Sequence, residues 1–513
     1  MVFYDIILMC VCSGGENIMK RIAFDSDKYI KLQSAKIMER VTRFNNKLYL
    51  EFGGKLFDDN HASRVLPGFQ PDIKIKMLSR LADKAEIIIS INAHDIEKSK
   101  RRSDLDITYN QDVLRLIDAF TGIGLFVSSV VITQYVSNAQ VDNFRNQLEK
   151  MGVKVYLHYS IDGYPTNVDR IVSDEGYGRN EYVETTRPLV VVTAPGPGSG
   201  KMATCLSQLY HEYKRGIYAG YAKYETFPIF NLPLSHPVNL AYEAATVDLD
   251  DINMIDPFHL SAYGITAVNY NRDVEIFPVL SRILKQITNE EVYHSPTDMG
   301  VNMNGMCIVD DEAAREASNQ EIVRRYYQTL VDVRRGYAPE SSIQKIEVIM
   351  NKAGLTPDYR RCVAPALKKA EDTNGPAVAI ELEDGRIVTG KNSSLLGAAS
   401  AALINAMKAV SHFDDETMLL SPNIIAPVQK LKTEYLGNNN PRLHLDEVLV
   451  AITISAQMNP FADKAIKNLP LLKGAQAHST VILSQNDENT FRKLGIMLTC
   501  EPKYQTKKLF HAK

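Results

Sequence analysis

The sequence predicts a multidomain α/β protein with a mostly parallel sheet in its N-terminal domain. Its 513 residues exceed what one ordinary hydrophobic core contains. Short apolar runs alternate with amphipathic helices over residues 20–220, a pattern typical of parallel sheets covered on both faces. Beyond this region the apolar spacing becomes helical. We therefore divide the chain into an α/β domain (19–225), a mainly helical region (226–372) and a smaller C-terminal α/β subdomain (373–505).

In the first domain, five apolar runs predict strands, and helical patterns follow all of them except "VKVYLHYSI". These runs are "KLYLEFGG", "AEIIISINAHD", "LFVSSVVITQYV", "VKVYLHYSI" and "RPLVVVT". The last run leads through a glycine-rich loop into the helical stretch "KMATCLSQLYHEYKRG". Because the runs are almost entirely apolar, the strands are expected to be buried.

The C-terminal subdomain begins with a predicted hairpin that turns at Asp384-Gly385. Residues 393–410 follow as a helix rich in small side chains, which favours close packing. The runs "DEVLVAITISAQM" and "HSTVILSQ" are predicted to supply further buried apolar segments. We see no internal repeat and no flexible linker.

The composition excludes several classes of function. Hydrophobic residues make up 45% and charged residues 23%, and the net charge is −3, so neither nucleic acid nor an acidic membrane surface is an expected partner. The 6 cysteines show no zinc-ribbon or thioredoxin spacing, which favours free thiols in the cytoplasm and predicts no zinc. The opening run "MVFYDIILMCVC" is too short to span a bilayer, and we interpret residues 1–18 as an upstream extension before a natural start at Met19.

The loop "APGPGSGKM" resembles a phosphate-binding loop that lacks two parts. A complete Walker loop has a glycine, four residues and then Gly-Lys-Ser/Thr between a strand and a helix. Here Pro195 replaces the first glycine and Met202 replaces the hydroxyl that ligates magnesium. Methionine does not provide the hard oxygen ligand that Mg²⁺ requires, and Thr204 comes two residues too late.

The remainder of the loop still predicts an anion site. Glycines at 196, 198 and 200 let the backbone amides turn toward one point, and the following helix adds its own N–H groups. Ser199 lies within the loop and Lys201 supplies a full positive charge. The alternative is a tight strand-to-helix turn that binds nothing.

Other polar residues follow neighbouring apolar runs. Glu51 and Lys55 come at the end of one predicted strand, and Asn92 and His94 come at the end of another. Because ligands of open parallel sheets bind outside the carboxyl ends of the strands, these residues are expected to line one cleft. Glu51 and His94 are the candidate acid–base catalysts, with strand ending and helix capping as the alternative for His94.

Arg179 lies in "SDEGYGRNEYVETTRP", and we predict that it clamps the same anion as Lys55, Asn92 and the loop. The alternative for this segment is a surface connection. No set of residues has the spacing of a metal site, so no metal is predicted.

Two polar loops in the middle region contain residues that have both a structural and a functional interpretation. In "ATVDLDDINMIDPFHL" the alternatives are a metal site, whose spacing fits no defined signature, and helix capping, which is the preferred interpretation for all residues except Asp256 and His259. Ser295 could act as a nucleophile only if a base lay close to it in space, and a capped loop is the preferred interpretation.

Several long strings together resemble the bacterial family called domain of unknown function 1846. They include "IAFDSDKYIKLQSAKI", "LYLEFGGKLFDDNHASRVLPGF" and "VVVTAPGPGSGKMATCLSQLYHE". The resemblance extends from Met19 to about Tyr504 and implies an α/β part, a helical part and a C-terminal α/β subdomain. It implies no activity. Some members carry a peptidase label, but the sequence has no His-Glu-x-x-His helix, so a protease is not expected.

The C-terminal hairpin and helix are also similar in layout to the cytidine-deaminase-like fold. The zinc enzymes of that fold need a His or Cys followed by x-Glu, and later a Pro-Cys-x-x-Cys. Here the helix start reads "LGAAS" and no cysteine pair follows. The likeness therefore concerns the fold alone.

From these observations the sequence predicts that the 196–202 loop binds a nucleotide or a phosphorylated small molecule. A transferase or ligase type of reaction fits better than hydrolysis, because Met202 removes the usual metal ligand. One alternative is a regulatory or scaffolding protein whose loop is structural. Another is a homo-oligomer that associates through the small-residue helix 393–410.

Overall fold

The structure, a computed structural model, describes residues 21–54, 56–57, 59–102, 105 and 107–505. The proposed extension 1–18 and the candidate Lys55 lie outside these residues. The chain forms two compact units, Ile22–Ile322 and a second unit that contains residues 323–505. We describe each unit by itself.

The strands of the first unit are β1 (Leu48–Phe52), β2 (Ala85–Asn92), β3 (Arg101–Arg102), β4 (Ile107–Thr108), β5 (Phe126–Thr133), β6 (Lys154–Leu157), β7 (Leu189–Thr193), β8 (Gly220–Tyr224), β9 (Asn253–Ile255), β10 (Val268–Tyr270) and β11 (Gly300–Val301). Its helices are α1 (Ser26–Arg43), α2 (Asn60–Val65), α3 (Ile73–Arg80), α4 (Ala93–Glu97), α5 (Tyr109–Gly122), α6 (Ala139–Lys150), α7 (Val168–Ile171), α8 (Lys201–Lys214), α9 (Pro237–Ala245), α10 (Pro257–Tyr263), α11 (Asn271–Thr288), α12 (Pro296–Met299) and α13 (Asp311–Arg335), and the boundary between the units falls within α13.

Seven of these strands form one parallel sheet in the order β11-β8-β1-β7-β2-β5-β6. All five residues of β7 are buried, and seven of the eight residues of β2 are buried. Such continuous burial is what helices on both faces of a parallel sheet produce. The predicted α/β class with a parallel N-terminal sheet is therefore confirmed.

Two tyrosines of the sheet show that both faces are covered. The Tyr49 hydroxyl donates to Glu212 Oε1 of α8 at 2.6 Å. Tyr224 stacks on Phe52 of the neighbouring strand and hydrogen-bonds Tyr29 of α1. Because Tyr49 and Phe52 are an odd number of residues apart in β1, they point to opposite faces. Helices α1 and α8 therefore lie on opposite sides of the sheet.

The second unit contains a small mixed sheet in the order β13-β12-β14-β15, formed by β12 (Ala377–Glu381), β13 (Ile387–Lys391), β14 (Gln476–Ser479) and β15 (Met497–Cys500). Its helices are α14 (Ser341–Ala353), α15 (Val363–Thr373), α16 (Ala398–Val410), α17 (Pro422–Lys430), α18 (Leu445–Ser455), α19 (Pro460–Asn468) and α20 (Gln485–Lys493), and a π-helical turn (Leu431–Tyr435) follows α17. Strands β12 and β13 form the predicted hairpin, with Gly385 in the left-handed conformation at the turn.

The small-residue helix α16 packs tightly within this unit. A Cβ atom on Gly390 of β13 would overlap the backbone nitrogen of Ala402 in α16. Ala398, Ala402 and Ala406 are buried in the core of the unit. Small side chains are thus needed on both sides of this strand–helix contact.

No helix among residues 21–54, 56–57, 59–102, 105 and 107–505 is both long and apolar enough to cross a membrane.

We expect Gly390→Ala to destabilise the protein by about 1–3 kcal/mol, because the overlapping atom belongs to the backbone of a helix and has little freedom to move. Urea unfolding measures the effect. Gly375→Ala in the same unit is the matched control, since its Cβ would meet only Thr373 O at 3.7 Å. Equal effects of the two substitutions would contradict the packing argument.

Candidate functional site

The carboxyl edge of the central strands gathers three polar segments that the sequence singled out. Strand β7 lies between β1 and β2, so the segments that follow these three strands leave the sheet side by side. The connection after β7 runs through α8 to β8, toward the β11 end of the strand order. The connection after β2 runs to β5, in the opposite direction, toward β6. Such a reversal is the topological switch point at which ligands of open α/β sheets bind.

The glycine-rich loop connects β7 to α8. Gly198 and Gly200 have φ angles of +78° and +83°, a region that glycine enters without strain. Gly200 is the N-terminal cap of the fourteen-residue helix α8, which begins at Lys201. Among the described residues, the backbone N–H groups of residues 200–203 have no hydrogen-bond partner, whereas Pro197 and Gly198 form a hydrogen-bonded turn. The start of α8 therefore presents unpaired donors and the positive end of a helix dipole.

Side chains from the neighbouring strands fix the loop in place. Thr133 at the end of β5 donates to the carbonyl oxygen of Ser199 at 3.0 Å. The Ser199 hydroxyl donates to the Gly196 carbonyl oxygen at 2.9 Å, and Asn92 Nδ2 donates to Gly198 O at 3.3 Å. The structure thus brings Asn92 into direct contact with the loop.

Two glycines of the loop also have steric reasons to be glycine. A Cβ atom on Gly196 would overlap the Tyr109 hydroxyl, and one on Gly200 would lie 2.9 Å from the Thr133 side chain. Both overlaps exist whether or not a ligand binds, so the glycines by themselves do not indicate one.

The magnesium-binding half of a Walker loop has no counterpart in this geometry. Met202 occupies the position of the metal-ligating hydroxyl. The hydroxyl of Thr204 is buried and accepts a hydrogen bond from Ser90 Oγ at 3.2 Å. It faces the protein interior and not the loop opening.

His94 and Arg179 lie at the same edge of the sheet without contacting the loop. The backbone N–H of His94 donates to Asn92 Oδ1, and its ring lies 3.1 Å from Glu97, with both side chains more than half exposed. The exposed Arg179 guanidinium lies 5.5 Å from the centre of the Tyr159 ring. Within the described part of the chain, no hydrogen bond or ion pair joins either side chain to residues 196–202. Their assigned roles in catalysis and anion binding stay predictions.

Glu51 lies on the α8 face of the sheet, where it accepts a hydrogen bond from the Tyr221 hydroxyl at 2.7 Å. The thiol of Cys205, one turn into α8, is buried. Burial raises its pKa well above the usual range, Glu51 raises it further and Lys201 lowers it. Glu51 therefore lies on the same side of the sheet as α8, the helix into which the loop leads.

Two family models, one for an N-terminal and one for a C-terminal part, together match almost the whole described chain. "Domain of unknown function DUF1846, N-terminal" matches residues 22–354, and "Domain of unknown function DUF1846, C-terminal" matches residues 358–510. The chain belongs to the DUF1846 family. It is 58% identical over 492 residues to "UPF0371 protein str1377" of Streptococcus thermophilus (strain CNRZ 1066). The aligned residues cover 96% of this chain and 100% of the relative. It is 57% identical over the same length to a "UPF0371 protein" of Streptococcus pneumoniae (strain CGSP14).

The family resemblance predicted from the sequence is confirmed by these matches. Neither the family descriptions nor the names of the DUF1846 relatives specify a ligand or a reaction. Any functional statement about this DUF1846 protein therefore depends on the chemistry of its own residues.

The sequence interpretation missed a second charged group of this DUF1846 protein. Lys223 of β8 forms ion pairs with Asp273 of α11 and with Glu225, the latter at 3.2 Å. Lys223 is also the register partner of Glu51 across the parallel pair β1–β8. We call Glu51, Lys223, Glu225 and Asp273 the lysine–carboxylate cluster. Its signal in the sequence was the pair of charged residues two positions apart, Lys223 and Glu225, at the end of an otherwise apolar and aromatic strand in "YAKYET".

Burial raises the pKa of Glu225 to about 7, since removing the carboxylate from water disfavours its charged form. The Lys223 ammonium lowers this pKa and the Asp273 carboxylate raises it. A carboxyl that titrates near neutral pH both donates and accepts protons at physiological pH, which suits it to general acid–base chemistry.

The open questions about Asp256, His259 and Ser295 have structural answers. Asp256 accepts hydrogen bonds from the backbone N–H groups of Phe258 and His259, which caps α10, and also one from the Thr297 hydroxyl. The ring nitrogen Nδ1 of His259 lies 2.9 Å from Ser295 Oγ. However, Ser295 is fully buried and caps α12, so a substrate has no access to its hydroxyl. Among the described residues, no group of three or more His, Cys, Asp or Glu side chains is arranged to hold a metal ion.

We expect Glu225→Gln to raise stability relative to wild type more at pH 8 than at pH 5, by about 1–3 kcal/mol. The pKa of Glu225 in the folded state exceeds that of an unfolded glutamate, so ionisation of this carboxyl disfavours folding, and the cost grows as the pH rises toward about 7. Urea unfolding at the two pH values measures the difference.

The control for this measurement is Glu184→Gln, which removes a carboxylate that is 72% exposed. A stability difference between Glu225→Gln and wild type that stays constant with pH would show that Glu225 is not perturbed by its surroundings.

Proposed function

We propose that the 196–202 loop binds the phosphate group of a nucleotide or of another phosphorylated small molecule. The observation that carries this proposal is the set of backbone N–H groups at residues 200–203 without partners among the described residues, at a helix start whose first residue is Lys201. Phosphate oxygens are strong acceptors, and a helix N-terminus with free amides is suited to receive them. Asn92, whose amide already contacts Gly198 O, extends the polar surface beside the loop.

The position of the loop supports the same conclusion. It lies where the connections from β7 and β2 depart in opposite directions, the usual ligand position of open parallel sheets. Glu51 lies on the same side of the sheet as α8, which begins at the loop, so this side carries a carboxylate. The reacting part of a ligand held at the loop would extend toward the lysine–carboxylate cluster.

The chemistry we propose is group transfer or ligation. Hydrolysis of a nucleotide by the usual P-loop route needs a hydroxyl that ligates magnesium, and Met202 stands at that position. A transfer or ligation needs a positioned acid or base, which Glu51 and Glu225 could supply. Glu225 and Lys223 thus join Glu51 as candidate functional residues, and Lys55, His94 and Arg179 stay candidates from sequence.

The test is ligand-dependent thermal stability with inorganic phosphate, ATP and sugar phosphates as probes. A ligand present at about a hundred times its dissociation constant stabilises the folded state by roughly 2.7 kcal/mol. We expect at least one probe to raise the melting temperature of wild type, and Lys201→Ala to lose most of this shift because it lacks the ammonium group.

Lys214→Ala is the matched control, because this lysine belongs to the same helix but lies at its C-terminal end. It should retain the shift of wild type. The proposal fails if none of the phosphates shifts wild type, or if Lys201→Ala responds as wild type does.

A second candidate, in which the loop is purely structural, is favoured by the contacts of Gly196 and Gly200 with Tyr109 and Thr133. In that case Gly196→Ala would lower stability by about 1–3 kcal/mol through its overlap with Tyr109, and phosphates would have no effect on either protein. If the loop binds phosphate, wild type responds to the ligand in addition to any packing effect of the glycine. Melting curves of both proteins with and without phosphate distinguish the two functions.

A further inference from the structure

Helix α18 of the second unit exposes an apolar face that the sequence interpretation predicted to be buried. Three apolar side chains at four-residue intervals form this face. Val450 and Ile454 belong to α18 and are 61% and 60% exposed, and Met458 follows the end of the helix and is 94% exposed. A helix with apolar residues on all sides is normally enclosed by other elements. Here Val448, Ile452 and Ser455 face the core while the opposite stripe has no cover within the described residues.

Neighbouring segments widen this stripe. Ser455 Oγ donates to Leu419 O and Asn459 Nδ2 donates to Met418 O, which holds residues 418–419 against the end of α18. Met418 is 59% exposed, and Phe461, in the first turn of α19, is 52% exposed. We call Met418, Val450, Ile454, Met458 and Phe461 the α18 patch.

The α18 patch is large for the surface of a monomer. From the exposed fractions of its five side chains, it presents roughly 600 Å² of apolar surface, the upper end of what monomeric proteins show. A standard interface covers about 800 Å² on each partner. The exposed, uncharged Thr453 and Gln457 lie between the apolar side chains and add to the area.

The charge pattern indicates which partner fits this surface. No charged residue occurs between Glu447 and Asp463, so the stripe on α18 is electrically neutral along its length. In a two-fold interface the same patch meets itself, and any charge near the axis faces a like charge. The neutral stripe on α18 is therefore compatible with a second copy of this chain, and the exposed acidic residues Asp414, Asp415 and Glu416 lie only at the margin of the patch, beside Met418.

The small-residue helix does not provide such a surface. Eight of the thirteen residues of α16 are buried within the second unit, in contact with β12 and β13. Association through residues 393–410 stays a prediction, but most of the small side chains of this helix are already used inside its own unit.

We infer that the protein forms a two-fold dimer in which the α18 patch packs against the same patch of a second copy. Ile454, at the centre of the stripe, lies close to the symmetry axis, where it meets its own counterpart. This inference is independent of the proposed phosphate site.

The experiment measures molecular mass by light scattering during size-exclusion chromatography of the full-length protein. We expect wild type at about 50 µM to elute as a dimer, since micromolar affinity is sufficient at that concentration. Ile454→Lys and Ile454→Glu should each elute as monomers, because two like charges would meet at the axis and weaken the dimer roughly a hundredfold or more. An equimolar mixture of the two variants should recover a dimer, as each lysine then faces a glutamate.

The matched control is Val348→Lys, which places a charge on an apolar side chain of α14 that is 52% exposed in the same unit. It should remain a dimer. Circular dichroism distinguishes loss of the dimer from loss of the fold, and the mixing result cannot arise from unfolded variants. A monomeric wild type, or an Ile454→Lys variant that keeps the mass of a dimer, would overturn the inference.

Discussion

The burial of β7 between β1 and β2 is the constraint on which the first unit depends. All five residues of β7 are buried, so no polar side chain of this strand reaches solvent along its length. The ends of a parallel strand are the first places where the chain can place polar groups and turns. The glycine loop, Asn92 and the glycines after β1 consequently lie at one edge of the sheet.

A few buried polar groups hold the connecting segments against this apolar sheet. Glu86 in β2 accepts hydrogen bonds from the backbone N–H groups of Thr186 and Arg187, just before β7. Gln208 of α8 donates a hydrogen bond to Val183 O and accepts one from Val183 N. These two bonds attach the segment before β7 to helix α8. Because a buried polar group without a partner is costly, these contacts fix where the chain enters β7 and hence where the loop leaves it.

The loop and the lysine–carboxylate cluster differ in their origin. The loop is local: consecutive residues form it, and its glycines, its lysine and the following helix are visible in the sequence. The cluster is assembled from three separate strands and helices, and the pairing of Lys223 with Asp273 depends on α11 returning to the end of β8. Glu51 and its register partner Lys223 lie on the side of the sheet that α8 covers, and the loop leads directly into α8, so the loop and the cluster belong to one side of the sheet.

The sequence by itself determined the α/β class, the strand–loop–helix at 189–214 and the hairpin at 377–391, because hydrophobic period and turn residues act over short distances. It also determined the membership of the DUF1846 family, which long matching strings of residues show. The tertiary structure alone decided that β7 lies between β1 and β2, that Asn92 contacts the loop while His94 and Arg179 do not, and that Lys223 pairs with Asp273. It also decided that α18 exposes an apolar face while α16 is buried. The physical reason is that strand order, and which side of a helix is covered, depend on contacts between residues far apart in the chain, which a local pattern does not encode.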